Sequence, residues 1–183
     1  MAKYRRYRKY TRRGRGRWSS NIQEIGNNIN VNSSTWRYTQ SLLSNPSQVT
    51  SFVSQKFTVK NIECSFTIDT SSATGSAAIE GVTAYIMFVP EGFALNATNL
   101  PEDFNIKHPE YIMAYKYLGS PNYEAASGGS QQQYQPYKIR TRLARKMDTG
   151  DQIVLFIKGI NQDNVNAFVL RLDGVVRWWT KAN

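Results

Sequence analysis

Apolar residues that recur at every second position constrain the fold of this chain more than any other feature. The clearest case is the stretch KFTVKNIECSFTID, which has apolar side chains at Phe57, Val59, Ile62, Cys64, Phe66 and Ile68. This alternation is typical of a β-strand with one face in a core and the other in solvent. The phase slips by one residue at Lys60-Asn61, which predicts a bulge or corner, because such a slip turns every following side chain to the other face.

The remaining sequence contains six more strand-like runs, at residues 35–43, 81–89, 111–119, 137–146, 152–159 and 165–179. The run GVTAYIMFV (81–89) is apolar on both faces, which predicts a central strand that ends at Pro90. Apart from residues 35–43, apolar residues between Ser19 and Gln48 are scattered and predict no strand. No stretch has the spacing of a long amphipathic helix. The seven runs predict an all-β fold, an antiparallel sandwich or barrel.

Three polar or proline-containing segments, 70–77, 90–110 and 120–133, are the predicted exterior loops. Residues 90–110 contain three of the six prolines. Within them, Pro101 followed by Glu102 and Asp103 is expected to begin a short helical turn. Proline suits the first helical position, and acidic residues favour the positive end of the helix dipole.

Positive charge is concentrated at the N-terminus. Nine of the 23 Lys and Arg residues lie within residues 1–17, which contain no acidic residue, so 14 remain against 13 Asp and Glu. We therefore divide the chain into an arm, residues 1–18, expected to be disordered in isolation, and one folded domain, residues 19–183. A basic segment on a near-neutral domain indicates a polyanionic partner, with nucleic acid ahead of an anionic membrane.

The arm combines cations with aromatic rings. Lysine and arginine neutralise phosphates, and tyrosine and tryptophan stack on unpaired bases, so this composition favours single-stranded nucleic acid. A flexible arm does not hold its side chains in a geometry that reads base edges, so we expect no sequence specificity. Nuclear import is a compatible second role, and a solubilising tail is the simpler alternative. The predicted binding residues are Lys3, Tyr4, Arg5, Arg6, Tyr7, Arg8, Lys9, Tyr10, Arg12, Arg13, Arg15, Arg17 and Trp18.

A second group of basic residues is a candidate binding face: Lys138, Arg140, Arg142, Arg145 and Lys146. The first three are spaced by two residues, which places them on one face of a strand, opposite Ile139, Thr141 and Leu143. Two interpretations of this group remain open. It is either a solvated strand face or a surface that contacts nucleic acid or another subunit.

The adjacent tryptophans Trp178 and Trp179 point to opposite faces if they lie on a strand. We expect at least one of them to pack in the core, which leaves the other to stack on a partner. Trp36, beside Arg37 and Tyr38, has the same two possible roles.

The sequence offers little for catalysis or metal binding. With one cysteine, Cys64, there is no intramolecular disulfide, and with one histidine, His108, a Cys/His zinc site is nearly excluded. His108 lies beside a proline in a loop, and no serine or cysteine nucleophile occurs in a recognisable setting. We expect no enzymatic activity, no cofactor and no metal. No apolar run resembles a signal peptide or a membrane-spanning helix, and a reducing compartment is the default.

Three ordered blocks resemble the capsid proteins of small circular single-stranded DNA viruses of the circovirus-like, Rep-encoding group. The first is the Arg/Tyr-rich start KYRRYRKYTRRGRGR. The second is YIMFVPEGF followed by IKHPEYIMAYKYLGSP, and the third is YKIRTRLARKMDTGDQIVLFIKG followed by VVRWWTKAN. Together they cover the arm and about half of the domain.

The resemblance implies a single eight-stranded antiparallel jelly roll with two packed sheets, one strand more than the runs identified here. It also implies a T=1 icosahedral shell of sixty copies that packages a circular single-stranded DNA genome through the basic arm. The implied partners are the genome (or RNA in heterologous expression), other copies of the chain, host nuclear import machinery and a cell-surface receptor or glycan of unknown identity. The implied locations are the virion and, during infection, the host nucleus.

Two alternatives remain open at this stage. The first is a single-strand-binding module that does not assemble, with the arm and the 138–146 face forming one groove. The second is the capsid protein of a small RNA virus, since an arm that contacts phosphates and base faces does not read the 2′-hydroxyl.

Overall fold

Two antiparallel β-sheets pack face to face in the computed structural model, which describes residues 17–31, 35–45, 56–69, 79–93, 104–119, 136–161 and 168–182. The strands are β1 (Ser19–Val31), β2 (Thr35–Ser44), β3 (Phe57–Asp69), β4 (Ile79–Val89), β5 (Ile112–Gly119), β6 (Tyr137–Arg140), β7 (Arg145–Met147), β8 (Gln152–Asn161) and β9 (Phe168–Ala182). A short helix α1 (Phe104–Lys107) and a 3₁₀ turn (Pro109–Tyr111) lie between β4 and β5.

The strands pair as a nested set. The first sheet has the order β1-β9-β3-β6, with β7 also paired to β3, and the second has the order β2-β8-β4-β5. Thus β1 pairs with β9, β2 with β8, β3 with β6 and β7, and β4 with β5. If β6 and β7 count as one interrupted strand, this is an antiparallel ribbon of eight strands rolled into two sheets, which is a jelly roll. The predicted all-β, two-sheet fold is confirmed.

The main core lies between the two sheets. Residues such as Val59, Ile86, Leu155 and Leu172 are fully buried there. Burial of this apolar area is the main stabilising term for a sheet pair. A second, smaller cluster lies on the outer side of the second sheet, and its members are Tyr85, Met87, Val89, Val154 and Phe156.

The predicted irregularity at Lys60-Asn61 is a β-bulge. The pairing of β3 with β9 shifts between Lys60 and Glu63, and Asn61 has a positive φ of 51°. The extra residue at the bulge shifts the alternation of side chains by one position, so that Val59 and Ile62 both point into the core. As a consequence Lys60 and Glu63 both point outwards.

The sequence prediction missed β1 altogether. Its inward side chains include Ile25, Ile29 and Val31, but an asparagine interrupts the alternation and Ile22 faces solvent. The strand forms because all 13 residues pair with β9 along one edge of the sheet. This pairing supplies the strand that the resemblance implied and the pattern did not show.

The prediction of one continuous strand over 137–146 was wrong. Residues 141–144 separate β6 from β7, opposite the bulge in β3, where the Thr141 N–H donates to the carbonyl of Ile62. Leu143 is therefore 50% exposed rather than in the core with Ile139 and Thr141. The other predicted strands are present with shifted ends.

The segment between β4 and β5, predicted to be a loop with one short helical turn, contains α1 and a 3₁₀ turn. The expected helix start at Pro101–Asp103 lies outside the described residues, as do 70–77 and 120–133. Neither helical segment among the described residues is long and apolar enough to cross a membrane. The turn before β8 is held by Asp151, whose carboxylate accepts from the N–H groups of Glu91 and Asp148.

Candidate nucleic-acid interface

The arm meets the domain at Trp18, next to the start of β1. Most of the arm residues predicted to bind nucleic acid, from Lys3 to Arg15, lie outside the described residues. Arg17 and Trp18 are described, and both are exposed. The ammonium of Lys60 lies 3.9 Å from the centre of a Trp18 ring, a cation–π contact. Since Lys60 points outwards from β3, the root of the arm lies on the outer surface of the first sheet.

This outer surface is rich in cations near the root of the arm. Directly opposed residues of an antiparallel pair share a face, so the register identifies the side chains that lie together here. Six cations project from β3, β6, β7 and β9 in this half of the sheet, and we call them the basic face: Lys60, Lys138, Arg140, Lys146, Arg177 and Lys181. Only Glu24 and Glu63 oppose them in the same rows. The far half differs, because Arg171 there pairs with Asp173 at 2.7 Å.

Glu63 lies at the centre of the basic face. Lys138 Nζ is 2.9 Å from one of its carboxylate oxygens, Arg140 Nε is 4.0 Å from the other, and Arg177 is opposite in register. The hydrogen bond from Lys138, together with the charges of Arg140 and Arg177, lowers the pKa of Glu63 below its ordinary value against the opposing effect of desolvation. One carboxylate thus pairs with Lys138 and lies among three cations, which keep a net positive charge.

The structure separates the five residues of the predicted second basic face. Lys138, Arg140 and Lys146 belong to the basic face, and Arg142 is exposed in the segment between β6 and β7. Arg145 turns away: it donates to the carbonyl of Glu110 and lies over the ring of Phe88. The reason is its register, since it pairs with Val59, a residue that points into the core.

Three members of the basic face were not predicted, namely Lys60, Arg177 and Lys181. Arg177 and Lys181 flank Trp179 at a spacing of two residues, so strand alternation alone places all three side chains on one face. That signal was available in the sequence. Lys60 follows the inward Val59, so alternation also points it outwards, but only the register of β3 against β9 brings it beside Trp179.

The paired tryptophans divide as predicted. Trp178 is 8% exposed and belongs to the core, as does Trp36 at 3%. Trp179 is half-buried on the other face, directly opposite Lys60 in register. The accessible tryptophans are therefore Trp18 and Trp179, and both lie at the edge of the basic face.

The outer surface of the second sheet has a different character. Tyr115 and Tyr117 on its edge strand β5 are 70% and 64% exposed. Tyr115 stacks on Tyr85, with ring centres 6.3 Å apart, next to the buried outer cluster. This surface combines aromatic and apolar side chains with the cations Arg37 and Lys158, which are opposite each other in register, whereas that of the first sheet carries the basic face.

The residues considered for catalysis or metal binding, His108 and Cys64, are not part of the basic face. The His108 ring is 3.1 Å from a carboxylate oxygen of Glu110 and stacks on Tyr111. Burial raises the pKa of the Cys64 thiol to about 12, which keeps it protonated. Within the described ranges, no three His, Cys, Asp or Glu residues lie close enough to hold a metal ion.

No protein-family model matches this chain, and no curated protein matches it. Among solved structures it is similar to the VP2 subviral particle of infectious bursal disease virus, at 9% identity and a TM-score of 0.24 over 89% of this chain and 37% of that one. A structure of the Gx strain of the same virus gives 9% identity and a TM-score of 0.17, over 92% of this chain and 43% of that one. This chain thus spans less than half the length of either, and similarity at this level supports no conclusion about function.

Proposed function

We propose that this chain is the capsid protein of a small single-stranded DNA virus. Sixty copies assemble into a T=1 icosahedral shell, and the arm together with the basic face packages a circular genome. The observation that carries the proposal is that the root of the arm and the basic face share one surface of a jelly roll. Charge from the arm and charge from the domain therefore act on the same side of the molecule.

The two outer surfaces suggest how a subunit is oriented in such a shell. A polyanion is attracted to the first sheet, which has six cations against two carboxylates near the arm. In a closed shell this surface faces the packaged genome, and the second sheet faces away. Jelly rolls serve as viral capsid domains, but also as lectin domains and cupins, so the charge arrangement carries more weight here than the fold.

Binding to phosphates predicts a strong dependence on salt. Each cation that neutralises a phosphate of a single strand releases counterions, and the logarithm of the affinity falls by about 0.7 per contact for each tenfold rise in salt. The nine basic residues of the arm and the six of the basic face both contribute. Packaging is therefore expected to be weakened steeply by salt.

Electron microscopy of the purified full-length chain tests assembly. The expected result is closed particles of about 20 nm, as follows from sixty compact domains of this size arranged in one layer. Sedimentation at low and at high salt should show the same particles or their reversible dissociation. A chain that is strictly monomeric at both salt concentrations would contradict the proposal.

Deletion of residues 1–17 tests the role of the arm. We expect the domain to stay folded and empty shells to form, while encapsidation of nucleic acid is lost. Circular dichroism reports folding, and the ratio of absorbance at 260 and 280 nm reports packaged nucleic acid. Loss of folding would show that the arm is not separable from the domain.

A non-assembling single-strand-binding protein is the second candidate. It is favoured by one observation, that the basic face is complete within a single chain. It predicts a soluble complex of one chain with one oligonucleotide in sedimentation, and no particle. A capsid of an RNA virus is distinguished by treating the packaged nucleic acid with DNase and RNase.

Nuclear import and the locations in the virion and the host nucleus also belong to this proposal. The arm is the proposed import signal. Replacing Arg5, Arg6, Arg8 and Lys9 with alanine in a fluorescent fusion is expected to abolish nuclear accumulation. Unchanged accumulation would count against this role while leaving the packaging role untouched.

A further inference from the structure

Two accessible tryptophans and three lysines meet at one corner of the first sheet. In register, Trp179 on β9 is opposite Lys60 on β3, and the next row places Lys181 and Lys146 on either side of Thr58. Trp18 reaches the same corner, because its ring contacts the Lys60 ammonium. We call the set Trp18, Lys60, Lys146, Trp179 and Lys181 the tryptophan corner.

The exposure of these rings is not explained by packing in the core. The chain has four tryptophans, and Trp36 and Trp178 are buried. Trp18 is 37% exposed, and Trp179 is half-buried on the outer surface. The two rows that form the corner contain no acidic residue, so the rings are bordered by lysines and Thr58.

We infer that the tryptophan corner binds unpaired bases by stacking, which makes single-stranded nucleic acid its ligand rather than a duplex. An indole offers a flat face to any base, and the adjacent lysines offer contacts for the flanking phosphates. A duplex hides its base faces within the helix, so it engages only the lysines. This inference deepens the proposed function and rests on it.

The position of the tryptophan corner, next to the end of the arm, supports single-stranded nucleic acid as its ligand. Trp18 follows directly after Arg17, the last cation of the arm. A single-stranded nucleic acid that is bound by the arm therefore reaches the corner without crossing an uncharged surface. Lys60 already contacts one face of Trp18 and places a positive charge beside it. A nucleotide whose base stacks on either ring therefore has its phosphate close to several lysines, which attract it electrostatically.

The test uses the full-length chain at a concentration below that at which particles sediment. Binding of three probes is compared at the same salt: an oligothymidylate, an abasic oligomer with the same number of phosphates, and a duplex. Anisotropy of a fluorescent label on each probe measures affinity in the wild type and in every variant. Tryptophan quenching in the wild type reports stacking on Trp18 and Trp179, because Trp36 and Trp178 are buried. We expect the oligothymidylate to quench the fluorescence and to bind about tenfold more tightly than the abasic oligomer.

Variants assign the effect to the corner. The double variant Trp18→Leu, Trp179→Leu is expected to lose most of the preference for bases and to keep its affinity for the abasic oligomer. Trp179→Phe retains a ring and is expected to retain most of the preference. Tyr115→Leu is the matched control, since it removes an exposed ring from the opposite surface. Circular dichroism verifies that each variant is folded.

The possible outcomes separate this inference from the proposed function. Equal, salt-dependent binding of the oligothymidylate and the abasic oligomer overturns base stacking and leaves packaging by charge intact. A base preference that is undiminished in the double variant also overturns it, and assigns stacking to the tyrosines of the arm. If no probe binds at low salt, both the inference and the proposed function fail.

Discussion

At the scale of single residues, Glu63 decides how much positive charge the basic face presents. It is the one carboxylate placed among Lys138, Arg140 and Arg177, and these contacts lower its pKa. The contact with Lys138 neutralises part of the positive charge that the basic face would offer to the proposed nucleic-acid partner. The residue therefore has opposite effects on stability and on binding, and both can be measured.

Replacing Glu63 with Gln is expected to strengthen binding to nucleic acid. The change removes one negative charge, so the slope of log affinity against log salt should steepen by up to about one. Filter binding or fluorescence anisotropy across a series of salt concentrations measures it. The control is Glu80→Gln, which removes the same charge from the second sheet. Equal effects of both variants would mean that only net charge matters.

The pH dependence of stability follows from the lowered pKa of Glu63. The ionised side chain stabilises the folded state fully above the pKa of the unfolded chain, and this contribution is lost as the pH falls through the lower folded value. The wild type should exceed Glu63→Gln in free energy of unfolding at pH 7, and the difference should shrink at pH 3. Urea denaturation measures it. A difference that grows on acidification would contradict the assignment.

At the scale of elements, the backbones of neighbouring strands approach closely at the centre of the first sheet, which restricts the side chain that β9 can carry there. Gly174 on β9 is opposite Ile25 on one side and Phe66 on the other. A Cβ atom at this position would lie 2.5 Å from the Ser65 carbonyl oxygen and 2.8 Å from the Phe66 Cα. These are backbone atoms of a paired strand, so they cannot move aside cheaply.

Gly174→Ala is therefore expected to destabilise the domain by about 1–3 kcal/mol, the usual cost of overpacking. Gly26→Ala is the matched control on β1. Its Cβ would lie 3.2 Å from the Asp173 carboxylate, an exposed side chain that can move, and 3.7 Å from the Leu172 carbonyl oxygen, an ordinary van der Waals distance. The control should change the free energy of unfolding by less than about 0.5 kcal/mol. Thermal or urea denaturation compares the two, and similar losses would refute the explanation.

At the scale of the whole molecule, the two sheets present surfaces of different chemistry. The first sheet carries the basic face and the root of the arm, and the second carries exposed tyrosines on the edge strand β5. Aromatic side chains are enriched where proteins contact one another, and charged ones are depleted at the centres of such contacts. If copies assemble as proposed, the tyrosine-bearing edge strand β5 is the better candidate for the contact between them.

The double variant Tyr115→Ser, Tyr117→Ser is expected to weaken assembly without loss of folding. Both side chains are more than half exposed, so their removal costs little stability in a single chain. Analytical ultracentrifugation should show a larger fraction of unassembled chains. Ile22→Ser is the control, because Ile22 is an exposed apolar residue, at 61%, on the first sheet. An unchanged particle fraction in the double variant would exclude this edge as a contact.

The sequence by itself determined the class of fold and the separation of charge. Strands such as 81–89 and 152–159 have apolar residues on both faces, which predicts central strands of a sheet. The basic arm has too few apolar residues to form a core. The division of Trp178 and Trp179 between core and surface also follows from alternation alone.

Only the tertiary structure decided which side chains act together. β1 is a strand because β9 pairs with it, and its own pattern of apolar residues is too weak to show this. The bulge after Lys60 sends both Lys60 and Glu63 outwards, whereas the register of β7 turns Arg145 away from the other cations. The basic face joins residues of β3, of the neighbouring strands β6 and β7, and of β9, which are distributed between positions 60 and 181. Their proximity depends on strand register, a non-local property that local sequence patterns do not contain.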